Sequence, residues 1–206
     1  MMEPNSNLVV VTGFGPFRNH LVNSSWEAVK ELEKLGLGED VQLKILELQV
    51  KYSEVETRIA KIWSELHPQL CVHVGMMSSS KAAILEQCGR NKGYTDRDIC
   101  GAQPQEECCL QEGPDRITSV INMKNICRQI SCPGIDVIYS RDAGRYLCEY
   151  AYYISLYYGN GRAVFIHVPQ LSTTFTKETL GQALQMIIHK VLKQLASQPD
   201  SPDIRE

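Results

Sequence analysis

Short apolar runs at Leu8 to Thr12, Leu70 to Gly75 and Ala163 to Val168 constrain this chain more than any other feature. A run of that length, closed by a turn residue such as Gly13, reads as a buried strand of a parallel sheet. Segments with helical spacing lie between the runs. Asn23 or Ser24 can cap a helix through about Leu35, which Gly36 and Gly38 stop. Ser53 opens another to about Leu66, with Val55, Ile59 and Ile62 on one face and Pro68 just beyond its end. Val41 to Val50 and Lys81 to Cys88 read as further strands. A helix near Met123 to Ile130, a strand at Ile135 to Tyr139 and a helix around Cys148 follow. In the last segment Leu180, Leu184, Ile187, Ile188, Val191 and Leu195 form one continuous stripe behind a possible cap at Thr176. Strands alternating with amphipathic helices predict an α/β sandwich with a mainly parallel central sheet.

A chain of 206 residues can bury a substantial core without disulfides, and it is read as one domain over residues 1–196. The polar residues 197–206, with Pro199 and Pro202, are expected to be a disordered tail. A net charge of −3 with no basic run gives no reason to expect nucleic acid. The first residues lack a signal-peptide pattern and no apolar stretch reaches membrane-spanning length. A cytoplasmic protein with reduced thiols is therefore expected. Cys71 and Cys127 lie in apolar periodic segments, where cysteine acts as a small hydrophobe. No C-x-x-C occurs, and Cys100, Cys108 and Cys109 lack the spacing of a structural zinc site, so no metal is expected. Gly89 to Asp115 reads as an irregular loop, polar and far longer than an ordinary connection.

The chemistry concentrates at two places. Asp142-Ala-Gly-Arg-Tyr-Leu-Cys148 reads as a glycine turn feeding a helix, with the cysteine in its first turn. A thiol there feels the positive end of the helix dipole, which favours thiolate. Ala163-Val-Phe-Ile-His167 is a strand ending in a histidine that can face such a helix start. Together Cys148 and His167 are a candidate nucleophile and base for acyl chemistry. Glu86 lies inside a strand segment. A carboxylate in a half-buried strand ordinarily faces solvent; the alternative is that it orients a histidine as a third triad member. Gly13-x-Gly15 is no dinucleotide fingerprint, because Arg18 stands where the third glycine belongs and Pro16 lacks an N–H. His73 reads as a core residue, and the tyrosines at 150, 152, 153, 157 and 158 as packing.

These motifs, in this order and spacing, resemble the pyroglutamyl-peptidase I family, most closely its vertebrate type or the paralogue of that type. The stretches that carry the resemblance are Val11-Thr-Gly-Phe-Gly-Pro-Phe17, Asn23-x-Ser-Trp26, His73-Val-Gly75, Cys88-Gly-x-Asn-Lys-Gly-Tyr94, the Cys148 run and His167-Val-Pro169. They extend from Val9 to about Leu195. The resemblance implies a three-layer α/β/α sandwich, a Cys148–His167–Glu86 triad and a lactam pocket shaped by Phe14, Phe17, Tyr146 and Leu147. It implies thiol-peptidase cleavage after an N-terminal pyroglutamyl residue, with no cofactor and with pyroglutamyl peptides as substrates. The chain departs from the family pattern at Arg18, Gln49, Ser78, Ile84 and Gln87, around the site but not in the triad. Those departures predict specific but weak hydrolysis. The alternative is a paralogue that keeps the fold and binds without cleaving.

Overall fold

The computed structural model describes residues 5–17 and 21–197. Arg18, His20 and the expected tail beyond Ser197 lie outside them. In chain order the elements are β1 (Asn5–Phe14), α1 (Ser24–Leu35), β2 (Gln42–Leu48), α2 (Tyr52–Lys61), β3 (Pro68–Met76), β4 (Ala82–Glu86) and β5 (Cys88–Arg90). There follow β6 (Arg116–Thr118), α3 (Met123–Gln129), β7 (Asp136–Ser140), α4 (Leu147–Tyr158), β8 (Ala163–Val168) and α5 (Lys177–Ala196).

A six-stranded sheet in the order β2-β1-β3-β8-β4-β7 is the middle layer of an α/β/α sandwich. Neighbours are parallel except at one junction, where β8 and β4 run antiparallel. Alternate residues of each central strand enter opposite cores, as the period of a strand requires. Val9, Val11, Val72, Val164 and Ile166 pack with α1, α3 and α5 on one face. Val10, Cys71 and Phe165 pack with α2 and α4 on the other. Helix α4 is apolar nearly all round, in keeping with its burial from Leu147 to Leu156 at every residue but Cys148. Its Tyr150, Tyr152 and Tyr153 are buried, and each hydroxyl finds an acceptor: Glu56, the Glu86 carbonyl and the Pro114 carbonyl.

Helix starts follow the sequence in two cases and depart from it in one. The Asn23 side chain caps α1 by accepting from Ser25 N–H, and Thr176 caps α5 by accepting from Thr179 N–H. Helix α2 starts at Tyr52 rather than Ser53, and its flanking residue Lys51 offers no side-chain cap. The cap is supplied from far along the chain, because Tyr52 N–H donates to Asp98 Oδ2 at 3.1 Å. After Lys61 the helix widens into a π-turn over Ile62–Leu66, and His67 ends it in the left-handed region at φ 47°.

Beyond Arg90 the stretch from Gly89 to Asp115 is irregular, as its composition suggests, apart from one 3-10 turn at Gln105–Glu107, but it is closely tied down. β5 pairs antiparallel with β6. Buried Asn91 then gathers the segment: its Nδ2 donates to the carbonyls of Leu110 (2.7 Å) and Gly113 (3.0 Å), and its Oδ1 accepts from the N–H groups of Cys109 and Leu110. One amide thus ties together four main-chain groups, two of which, Cys109 N–H and the Leu110 carbonyl, also have main-chain partners in Asn91 and Gly113, which is why a polar segment can pack here. All eight cysteines are free thiols.

Candidate active site

Three elements bring their chemistry to one point. His167, 2 % exposed, is the penultimate residue of β8, and Glu86, fully buried, is the last of β4. Glu86 Oε1 stands 2.9 Å from His167 Nδ1. The solvent-facing reading of Glu86 is overturned: β4 lies between β8 and β7 with helices on both sides, and all five of its residues are buried. Tyr152 of α4 fixes the same residue from above, donating its hydroxyl to the Glu86 carbonyl at 2.8 Å.

With Nδ1 facing the carboxylate, the other imidazole nitrogen is left for Cys148, whose thiol is also a hydrogen-bond partner of the ring. Burial alone would push the imidazole pKa down. Its hydrogen bonds to Cys148 and Glu86, with the negative charge each can carry, outweigh that and raise it to about 9. Cys148 is the second residue of α4 and stays partly exposed. The thiol sits directly over Gly75, which is the register partner of His167 on β3. A Cβ at Gly75 would fall 2.7 Å from Cys148 Sγ and 2.7 Å from the Phe165 ring. The glycine is what lets nucleophile and base share one level of the sheet.

The pocket candidates also converge. Phe14 and Leu147 are buried in one cluster with Phe165, Tyr52 and Tyr150, while Phe17, Tyr146 and Cys148 pack at its edge. Phe14 N–H donates to Ser25 Oγ at 3.0 Å, so the start of α1 holds the strand exit. Gly13 permits this approach, since a Cβ there would lie 2.9 Å from the Trp26 backbone. Tyr146 meets Tyr52 edge-on at 6.1 Å and donates its hydroxyl to the Arg97 carbonyl at 3.3 Å. A separate groove of about 560 Å³, lined among others by Gly15, Pro16, Gln49, Val50 and Ile99, contains none of Cys148, His167 and Glu86.

His73 is a fully buried core residue. Its Nδ1 lies 2.7 Å from Thr12 Oγ1, and burial lowers its pKa to about 3, so the ring is neutral. Burial pushes the Cys71 thiol up to about 12 and Cys109 higher still. Cys100 is the exposed thiol, and Cys108 and Cys109 are buried. Among the described residues no group of three or more His, Cys, Asp or Glu side chains is placed to hold a metal ion.

The departures at Ser78, Ile84 and Gln87 are accommodated; Arg18 lies outside the described residues. Ser78 is absent from the residues with positive φ, so a serine there carries no backbone strain. Buried Gln87 donates to the carbonyls of Ser119 (3.1 Å) and Ile121 (2.8 Å) and accepts from Met123 N–H at 3.1 Å. A basic side chain could not accept that last bond. Ile84 lies opposite His167 in the β4–β8 ladder and is buried beside it. Sequence reasoning missed Gly75, Gln87 and Tyr152 as site-builders. The motif His73-Val-Gly75 was the one available signal for the first of them.

A thiol, an imidazole and a carboxylate linked in that order can generate a nucleophile, move a proton and hold the ring's tautomer. Comparison with known proteins points the same way. The family described as pyroglutamyl peptidase matches residues 7–198. The chain is 48% identical over 193 residues to pyroglutamyl-peptidase 1 of Mus musculus, covering 93% of this chain and 92% of that one. It is 49% identical over 167 residues to the pyroglutamyl-peptidase 1-like protein of Homo sapiens, covering 80% and 85%. Among solved structures, a mutant pyrrolidone carboxyl peptidase from Pyrococcus furiosus superposes with a TM-score of 0.82 at 26% identity, covering 91% of this chain and 99% of that one.

Proposed function

The chain belongs to the pyroglutamyl peptidase family, a cysteine-type peptidase family, and we propose that Cys148, His167 and Glu86 carry out its hydrolysis of the bond after an N-terminal pyroglutamyl residue. The observation that carries the assignment is the chain of contacts from Glu86 through His167 to the Cys148 thiol. The Cys148 thiolate attacks the carbonyl carbon of the scissile amide, and main-chain N–H groups at the start of α4 receive the developing oxyanion. The carbon–nitrogen bond breaks as the imidazolium of His167 gives its proton to the leaving amine. The pyroglutamyl group stays on sulfur as a thioester. Water then loses a proton to His167 and attacks that thioester, releasing pyroglutamate and restoring the thiolate. Glu86 holds the ring through Nδ1 and stabilises its charged form.

The lactam ring is proposed to sit against Phe14, Phe17, Tyr146 and Leu147, an apolar wall suited to a small ring. The domain is proposed to span residues 1–196, and the match over residues 7–198 supports that extent. Eight free thiols support a cytoplasmic setting. The deciding measurement is release of fluorophore from a pyroglutamyl amide. The unsubstituted protein should cleave it and Cys148→Ala should not. Equal rates in the two would overturn the assignment of the nucleophile.

A further inference from the structure

Directly after the candidate nucleophile, the sequence places a carboxylate where the fold admits no solvent. Glu149 is the third residue of α4, and its side chain is fully buried. Its Oε2 accepts from Arg145 Nη1 at 2.6 Å, while Oε1 has no hydrogen-bond partner among the described residues. The same guanidinium nitrogen donates to Asp142 Oδ1 at 2.7 Å and to the Gly144 carbonyl. Asp142 Oδ2 in turn meets Arg90 Nη1 of β5 at 3.0 Å. The chain Arg90–Asp142–Arg145–Glu149 therefore joins β5 to the turn ahead of α4, and its last link closes across Cys148.

That last link carries a cost on each side, although a carboxylate in the first turn of a helix lies at the favourable end of the dipole. A half-satisfied buried carboxylate costs more than an apolar side chain of similar size. An arginine just ahead of a helix N-terminus sits at the wrong end of the dipole. The two meet where the helix start must be held in a defined place. We propose that Glu149 is a positioning residue for Cys148: by holding Arg145 it fixes the 142–146 turn against the first turn of α4, and so sets where the thiol and the neighbouring main-chain N–H groups stand. This rests on Cys148 being the nucleophile.

The tie does not need a charge on Glu149. Burial pushes its carboxyl up to about 8; nearby Asp142 and Glu86 add to the rise, and Arg90 opposes it. Cys88, Tyr94 and Cys109 also lie within its field. Ionised or protonated, the carboxyl keeps an oxygen that accepts from Arg145.

The test compares the unsubstituted protein with Glu149→Gln, Glu149→Ala and Arg145→Met. It reads iodoacetamide alkylation of Cys148 by peptide mapping between about pH 5 and 9, kcat and KM on a pyroglutamyl amide, and the melting midpoint. Glu149→Ala and Arg145→Met should slow Cys148 alkylation at every pH and lower kcat about tenfold or more, with KM within about threefold, as expected of a misplaced reacting group. Glu149→Gln keeps an oxygen for Arg145 and should recover most of both. If Glu149→Ala fails to fold, Arg145→Met decides, because that side chain is 32% exposed. Unsubstituted rates in Arg145→Met, or a Glu149→Gln as impaired as the alanine variant, would overturn the inference. A Cys148 that resists alkylation in the unsubstituted protein would overturn both this inference and the nucleophile on which it rests.

Discussion

Glu86 reaches His167 diagonally across the antiparallel β4–β8 junction of the main sheet, not from the position opposite it. The ladder pairs Ile84 with His167 and Glu86 with Phe165, yet the 2.9 Å contact runs from Glu86 Oε1 to His167 Nδ1. Diagonal neighbours of an antiparallel pair share a face and lie within reach of a long side chain. Buried Ile84 occupies the directly opposite place and keeps that side of the imidazole apolar. The carboxylate therefore acts on Nδ1 alone, and the other nitrogen is free to serve the thiol.

Replacing that carboxylate tests the arrangement. Glu86→Gln keeps the size but removes the charge that favours imidazolium and the Nδ1–H tautomer. Turnover should fall by roughly 10² to 10⁴, while iodoacetamide still labels Cys148. Unchanged turnover would reduce Glu86 to a packing residue.

The pH profile carries a second signature. The His167 pKa is raised to about 9, so the imidazolium that protonates the leaving amine is present at neutral pH and lost as pH rises through that value. The alkaline limb of kcat/KM should bend near pH 9 and belong to the Cys148–His167 pair jointly. Glu86→Gln should move the bend to lower pH, since one of the groups that raises the imidazole pKa is gone. A bend that stays in place when Glu86 is replaced would contradict the coupling.

Gly75 offers a steric test. The added methyl of Gly75→Ala would press on both Cys148 Sγ and the fully buried Phe165 ring. Phe165 is locked in the core, so the thiol must move. Overpacking of this kind costs about 1–3 kcal/mol, and a displaced nucleophile lowers the rate about a hundredfold. Thermal melting and kcat/KM read the two effects separately. Retained activity would mean that the thiol does not stand over β3.

His73 predicts how the fold responds to acid. Its native pKa is lowered to about 3 from the ordinary 6.5, so below pH 6.5 the unfolded chain binds a proton that the native chain refuses. Stability from this group is complete above pH 6.5 and is lost progressively as pH falls toward 3. The loss over that window is on the order of several kcal/mol. Urea titrations of the unsubstituted protein and His73→Gln at stepped pH should converge in acid. Parallel stability curves for the two would remove His73 from the account.

Much of this was legible in the sequence where the signal is local. The buried strands, the caps at Asn23 and Thr176, the stripe of α5 and the helix start at Cys148 each follow from neighbouring residues. What could not be read depends on partners far away in the chain. Alternation rules treat a carboxylate in a strand as half-exposed, and nothing near Glu86 reveals that β4 is enclosed between β8 and β7. Asp98 caps α2 across 46 positions. Asn91 organises a segment whose composition alone reads as loop. The pocket residues required family resemblance, because Phe14, Phe17, Tyr146 and Leu147 share no pattern until the fold gathers them into one cluster.

The order of strands has a consequence for synthesis of the chain. β3 and β4 are consecutive, separated by residues 77–81 alone, yet they do not pair; β8 lies between them. Until residues 163–168 have left the ribosome, the middle of the sheet is an open slot with unpaired edges on both sides. Such edges are where nascent chains associate wrongly. The last strand to arrive also brings the base, and the Glu86–His167 contact spans 81 positions. Peptidase activity therefore cannot appear in a chain that ends before β8 or has not yet inserted it, and its recovery after dilution from denaturant reports insertion of that final strand.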